Sequence, residues 1–114
     1  IANAKYLDSH FSKLDEIRIP PRIKNYKIVY HLYIVFVKNR DRLLKYCQRK
    51  GIEAKVHYPI PIYRQKALKF LNHKKGDFPV TDKHCKEIIT FPCDQHLKKK
   101  QLNYIIKTVK DFYN

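Results

Sequence analysis

Apolar residues Ala4, Leu7, Phe11 and Leu14 recur at intervals of three and four, which predicts a helix over residues 2–15 with one buried stripe. Pro20 and Pro21 then forbid helix and predict an extended connection. Residues 27–37, KIVYHLYIVFV, are β-branched, aliphatic or aromatic at almost every position, which predicts a strand. Ile28, Tyr30, Leu32, Ile34 and Phe36 would face one side, and Val29, His31, Tyr33, Val35 and Val37 the other. With both faces apolar, the strand is expected to be covered on both sides or to lie central in a sheet. His31 is the polar exception, read on its own as a satisfied core group.

The next stretch, NRDRLLKYCQRKG, predicts a helix with Asp41 at its start, Leu43, Leu44 and Cys47 inward, and Gly51 as the stop. A strand IEAKVHY should follow, then prolines, then a short helix through Ala67, Leu68 and Leu71. NHKKGDFP has loop composition. VTDKHCKEII predicts a helix capped by Thr81, and residues 88–91 a short strand closed by Pro92. Leu102, Ile105, Ile106, Val109 and Phe112 give the clearest amphipathic helix in the chain. Strands alternating with helices predict an α/β fold, an α+β sandwich of about three strands covered by helices. The first helix is the least anchored; it either packs here or reaches toward a neighbouring domain.

Composition changes this picture in three ways. The 114 residues suffice for one domain. They contain no methionine and begin at Ile1, which suggests a piece of a longer chain. The net charge of +15 draws polyanions, so a stand-alone basic module binding nucleic acid or another polyanion is one reading. However, nineteen lysines against six arginines, spread along the chain, fit a solvated surface better than a nucleic-acid footprint. No apolar run is long enough for a membrane helix, and no signal peptide is visible. Three cysteines without a Cys-x-x-Cys motif suggest a reducing, cytoplasmic setting.

Few motifs carry chemistry. His84, Cys85, Cys93 and His96 lie close in sequence, but adjacent His84 and Cys85 diverge on a helix, so no metal site is expected. Two glycines cannot build a phosphate loop. The segment VHYPIPIYR is different. Pro59 and Pro61 cannot donate to a sheet, and they push Tyr58 and Ile60 toward extended backbone. His57 and Tyr58 are thus offered on a stiff segment at a strand end, flanked by Lys55 and Arg64, a set that suits a phosphate or diphosphate oxygen. The competing reading is an edge strand ended by prolines, with both rings merely packed.

The succession HLYIVFV, GIEAKVHYPIPIYRQ, GDFPVTDKHCKEIITFPCDQHL and the final helix resembles the C-terminal part of the DegT/DnrJ/EryC1/StrS aminotransferases. The joint pattern G-I-x-x-x-x-H-Y-P-x-P followed by G-D-F-P-V carries the likeness, which runs through nearly the whole chain. The resemblance implies the small C-terminal domain of a fold-type I enzyme. Residues 1–19 would be the leading helix and connection from a larger domain, and residues 20–114 the small domain. It implies pyridoxal phosphate as cofactor, held with its lysine in the larger domain, so no catalytic residue is expected in this chain. It implies a nucleotide-linked ketosugar as substrate, glutamate as the usual amino donor, ping-pong transamination and a homodimer. By the same resemblance His57 and Tyr58 contact substrate, and Pro59 and Pro61 hold the loop. His31 matches a common family histidine supporting the active-site side, and Tyr63 stands where the family often has histidine.

Overall fold

The computed structural model describes all 114 residues. Helix α1 (Ala2–Phe11) is followed by strand β1 (Ile17–Arg18), strand β2 (Tyr33–Val37) and helix α2 (Arg40–Arg49). Two 3-10 turns cover Ile62–Arg64 and Lys66–Leu71; then come α3 (Pro79–Glu87), β3 (Ile88–Phe91) and α4 (Lys99–Tyr113). The strands form an antiparallel sheet in the order β1-β2-β3. Ile17 pairs with Val37, and Tyr33, Ile34, Val35 and Phe36 pair with Phe91, Thr90, Ile89 and Ile88. A single bridge, Lys55 to Thr90, adds a fourth, one-residue rung beside β3.

Alternation along the strands divides the molecule into two layers. Tyr33, Val35 and Val37 of β2 and Ile89 and Phe91 of β3 join the main core with Ala4, Leu7, Phe11, Leu43, Cys47, Leu102, Ile105, Ile106 and Val109. Three helices thus cover one sheet face. On the other face Phe36 lies between the Arg18 guanidinium, 4.1 Å from its ring centre, and the His84 ring at 4.5 Å. The expectation of a strand covered on both sides holds for β2.

The structure corrects several boundaries. The long strand predicted for 27–37 begins only at Tyr33. Its partner β3 ends at Phe91 because Pro92 has no N–H to donate, so residues 27–32 have nothing to pair with. Tyr30 turns left-handed there at φ 53°, and its ring packs against Tyr33 and beneath Arg22. IEAKVHY is not a strand either: only Lys55 pairs, because the Ala54 amide bonds back to the Ile52 carbonyl and bends the chain. Helix α3 starts before Thr81, with Phe78 at the cap and Pro79 at the first helical position, where a missing N–H costs nothing. The segment through Ala67 and Leu68 is a 3-10 turn that buries no residue.

The first helix is firmly anchored in this domain. Ala4, Leu7 and Phe11 are fully buried. The Asp8 carboxylate accepts two hydrogen bonds from Arg22, both 3.0 Å, and one from the Tyr33 hydroxyl at 2.7 Å. That clasp ties α1 to the Pro20-Pro21 connection and to β2. Gly51 ends α2 at φ 75°, as its position after the helical pattern predicts. No helix is long and apolar enough to cross a membrane.

Candidate functional site

Thr90 sits between Ile89 and Phe91, both in the main core, so its side chain emerges on the opposite sheet face. Lys55 lies directly beside it, with backbone bonds of 3.0 Å and 2.8 Å in the two directions. Two residues on, His57 returns to the same face, and its Nδ1 lies 2.9 Å from the Thr90 hydroxyl. These side chains form one wall of a cleft of about 720 Å³. His31, exposed on the bend before β2, lines the same cleft. Glu53 and Asp94 lie on its rim.

Of the residues singled out from the sequence, the fold therefore brings His57 and His31 to one cavity although 26 positions separate them. Tyr58 does not line it. Its ring is 69% exposed and meets the His57 ring edge-on at 5.6 Å, across a cis His57–Tyr58 peptide. Pro59 is exposed, and Pro61 is buried just before the first 3-10 turn. Tyr63 is buried away from the cleft. Its hydroxyl donates to Asp82 at 2.7 Å, and the Gly76 amide donates to Asp82 at 3.1 Å. Phe78 packs on the Tyr63 ring at 4.8 Å. Burial and the Asp82 bond push the Tyr63 hydroxyl above its usual range, and the same bond holds Asp82 below the usual carboxylate range. The 64–75 excursion is thus closed at its neck by the Tyr63–Asp82 pair.

The expected pair of flanking cations is altered. Lys55 Nζ is 2.5 Å from a Glu53 carboxylate oxygen, and Arg64 is not among the lining residues. The cleft's side chains carry one lysine against two carboxylates. The cleft therefore offers directed hydrogen-bonding groups more than net positive charge.

Elsewhere, a groove of about 850 Å³ beside β1 and α3 holds six basic side chains interleaved with four acidic ones. Arg40 there is spent on Asp41 and the Ile88 carbonyl. No unbroken basic stripe results. No three His, Cys, Asp or Glu side chains approach closely enough to hold a metal ion. His84 stacks on Phe36, Cys93 packs against the core, and His96 is bonded to Gln95.

The sequence model of the DegT/DnrJ/EryC1/StrS aminotransferase family matches residues 1–110. The chain belongs to that family. Among curated relatives, it is 27% identical over 109 residues to the dTDP-3-amino-3,4,6-trideoxy-alpha-D-glucose transaminase of Streptomyces venezuelae, covering 96% of this chain and 28% of that one. It is 29% identical over 99 residues to a pleiotropic regulatory protein of Geobacillus stearothermophilus, covering 87% and 27%. Among solved structures, Streptomyces venezuelae DesV, in complex with a ketimine intermediate, superposes with a TM-score of 0.91 at 25% identity, over 97% of this chain and 30% of that one. A DegT DnrJ EryC1 StrS aminotransferase from Brucella abortus shares the fold at a TM-score of 0.89 and 22% identity, over 99% and 30%. The chain spans less than a third of the length of the relatives it matches.

Pyridoxal phosphate does not fit the residues present here. The cleft's single lysine is exposed and paired with Glu53. No glycine lies in the cleft wall to let backbone amides close around a phosphate. Asp94, the other carboxylate, is exposed and bonded to the His96 amide rather than held inward for a ring nitrogen.

Proposed function

We propose that this chain is the substrate-side portion of a larger pyridoxal phosphate-dependent aminotransferase acting on a nucleotide-linked ketosugar. Residues 1–19 lead in from a larger domain that binds the cofactor, and residues 20–114 form the small C-terminal domain. The amino group comes from glutamate, the working enzyme is a cytoplasmic homodimer, and the isolated 114 residues are inactive. The observation that carries this reading is the family match over 1–110, joined to a cleft that gathers His31 and His57 beside Thr90 and Phe91. The exposed apolar side chains Tyr58, Ile60, Ile62, Phe70 and Val80 support it, since they offer a surface for the rest of the enzyme.

In this reading the cofactor supplies the electron sink, and the present residues bind and orient. His57 donates to a substrate oxygen, His31 lines the same cleft, and Tyr58, exposed outside it, meets the part of the substrate that projects beyond. Pro59 and Pro61 stiffen the segment, and Tyr63 anchors it through Asp82 to α3. The mixed-charge groove beside β1 does not favour a polyanion-binding module.

The test is His57→Ala in the larger enzyme. Loss of one hydrogen bond to substrate should lower kcat/KM for the nucleotide sugar about 10- to 100-fold, with the cofactor's absorbance retained. Unchanged kinetics would remove His57 from the site.

A further inference from the structure

Thr90 is 7% exposed, and its hydroxyl has one side-chain partner, His57 Nδ1 at 2.9 Å. Its backbone N–H and C=O are both committed to Lys55, so the strand holds the residue rigidly. A buried hydroxyl hydrogen needs an acceptor. The one acceptor it has is the Nδ1 lone pair. When the hydroxyl donates to that lone pair, a neutral His57 carries its proton on Nε2, the ring atom that makes no hydrogen bond within the chain. If the ring is protonated, the hydroxyl rotates and accepts from Nδ1–H, and Nε2 still bears a hydrogen. Donation from Thr90 thus makes Nε2 the protonated nitrogen of the neutral ring, and the charged ring bears a hydrogen there in any case.

We propose that Thr90 is a positioning residue that locks His57 with its Nε2–H turned into the cleft, so that the ligand atom met there is an oxygen acceptor. This rests on the functional reading only for what the ligand is. The geometry of the Thr90–His57 pair stands without it. A threonine at this point of a strand carries no signal of such a role in the sequence, since the contact depends on the Lys55–Thr90 bridge.

The experiment is nitrogen-15 NMR of the imidazole groups in the 114-residue chain, at a pH where the His57 ring is neutral. Nδ1 of His57 should resonate as an unprotonated ring nitrogen and Nε2 as a protonated one. In Thr90→Val, which keeps the shape and removes the hydroxyl, the two shifts should move toward each other as the tautomers mix. Thr90→Ser should restore the wild-type separation. A wild-type spectrum with the proton on Nδ1, or one that Thr90→Val leaves unmoved, overturns the proposal. Both readouts come from the chain itself, so a failure of sugar turnover in the larger enzyme counts against the functional reading and not against this one.

Discussion

Two regions of similar apolar content use it in opposite ways. In the N-terminal helix every large apolar side chain of the stripe is inward: Ala4, Leu7 and Phe11 are fully buried, and the Asp8–Arg22–Tyr33 clasp fixes the helix to the sheet. In the 58–80 segment Tyr58, Ile60, Ile62, Phe70, Leu71, Phe78 and Val80 are exposed, and the backbone is largely turn. That segment is tied down at few points: Lys55–Thr90 before it, Pro61 and Tyr63 buried within it, and Tyr63–Asp82 at its neck. Hydrophobicity alone therefore does not say where a core is. The helix has a periodic stripe that one surface can cover, whereas prolines and 3-10 turns scatter the side chains of the other segment in several directions.

The difference sets the largest expected effect. Phe11→Ala removes a ring packed against Phe91 at 5.4 Å and Tyr33 at 6.4 Å. It should cost about 3–5 kcal/mol in urea unfolding, enough to threaten the fold. Phe70→Ala, the same change at a ring that is 72% exposed, should stay within ~0.5 kcal/mol. Comparable losses at the two sites would erase the contrast.

The buried side also carries a pH signature. Burial pushes the Cys47 thiol from 9.0 up to about 11. Between those values the unfolded chain gives up the proton while the folded one keeps it. This contribution to stability is therefore complete below about pH 9 and is lost as pH rises toward 11, on the order of 2–3 kcal/mol in all. Burial also raises Tyr33 and Tyr113, so the decline should steepen above about pH 10. Urea midpoints should be level up to about pH 9 and fall beyond it. Cys47→Ala should flatten the first part of that fall, and an unchanged slope would show that the thiol is not the cause.

The neck of the exposed segment gives a smaller effect. Tyr63→Phe removes the hydroxyl that donates to Asp82 and should cost about 1 kcal/mol. Hydrogen exchange at the Gly76 amide, 3.1 Å from Asp82, should quicken while α1 amides stay protected. Equal quickening in α1 would mean that the two regions open as one unit.

Legibility from sequence followed the same division. Helix α4 was readable outright, because Leu102, Ile105, Ile106 and Val109 form a stripe that the core needs whatever else is present. Strand β2 was readable in its second half only. Nothing in KIVYHL announces that its partner will run out at Pro92. The two-residue β1 has no pattern of its own and exists because Ile17 and Arg18 meet Val37 and Phe36. At the site, the His-Tyr-Pro-x-Pro signature pointed to His57, but the pairing of Lys55 with Glu53 and of His57 with Thr90 required the fold. Cross-strand neighbours from distant positions are what a linear pattern cannot show.

The smallest expected effect sharpens the comparison most. Ile62 is 71% exposed, so Ile62→Ser should leave the unfolding of the 114-residue chain within ~0.5 kcal/mol. In the larger enzyme proposed above, the same side chain lies on a surface meant to be covered, and burying a serine there in place of isoleucine forfeits apolar contact. The variant enzyme should then unfold or dissociate at lower urea than wild type while the isolated chain does not. A serine silent in both settings would mean that the exposed strip faces water in the working protein, and that its apolar character answers to something other than docking.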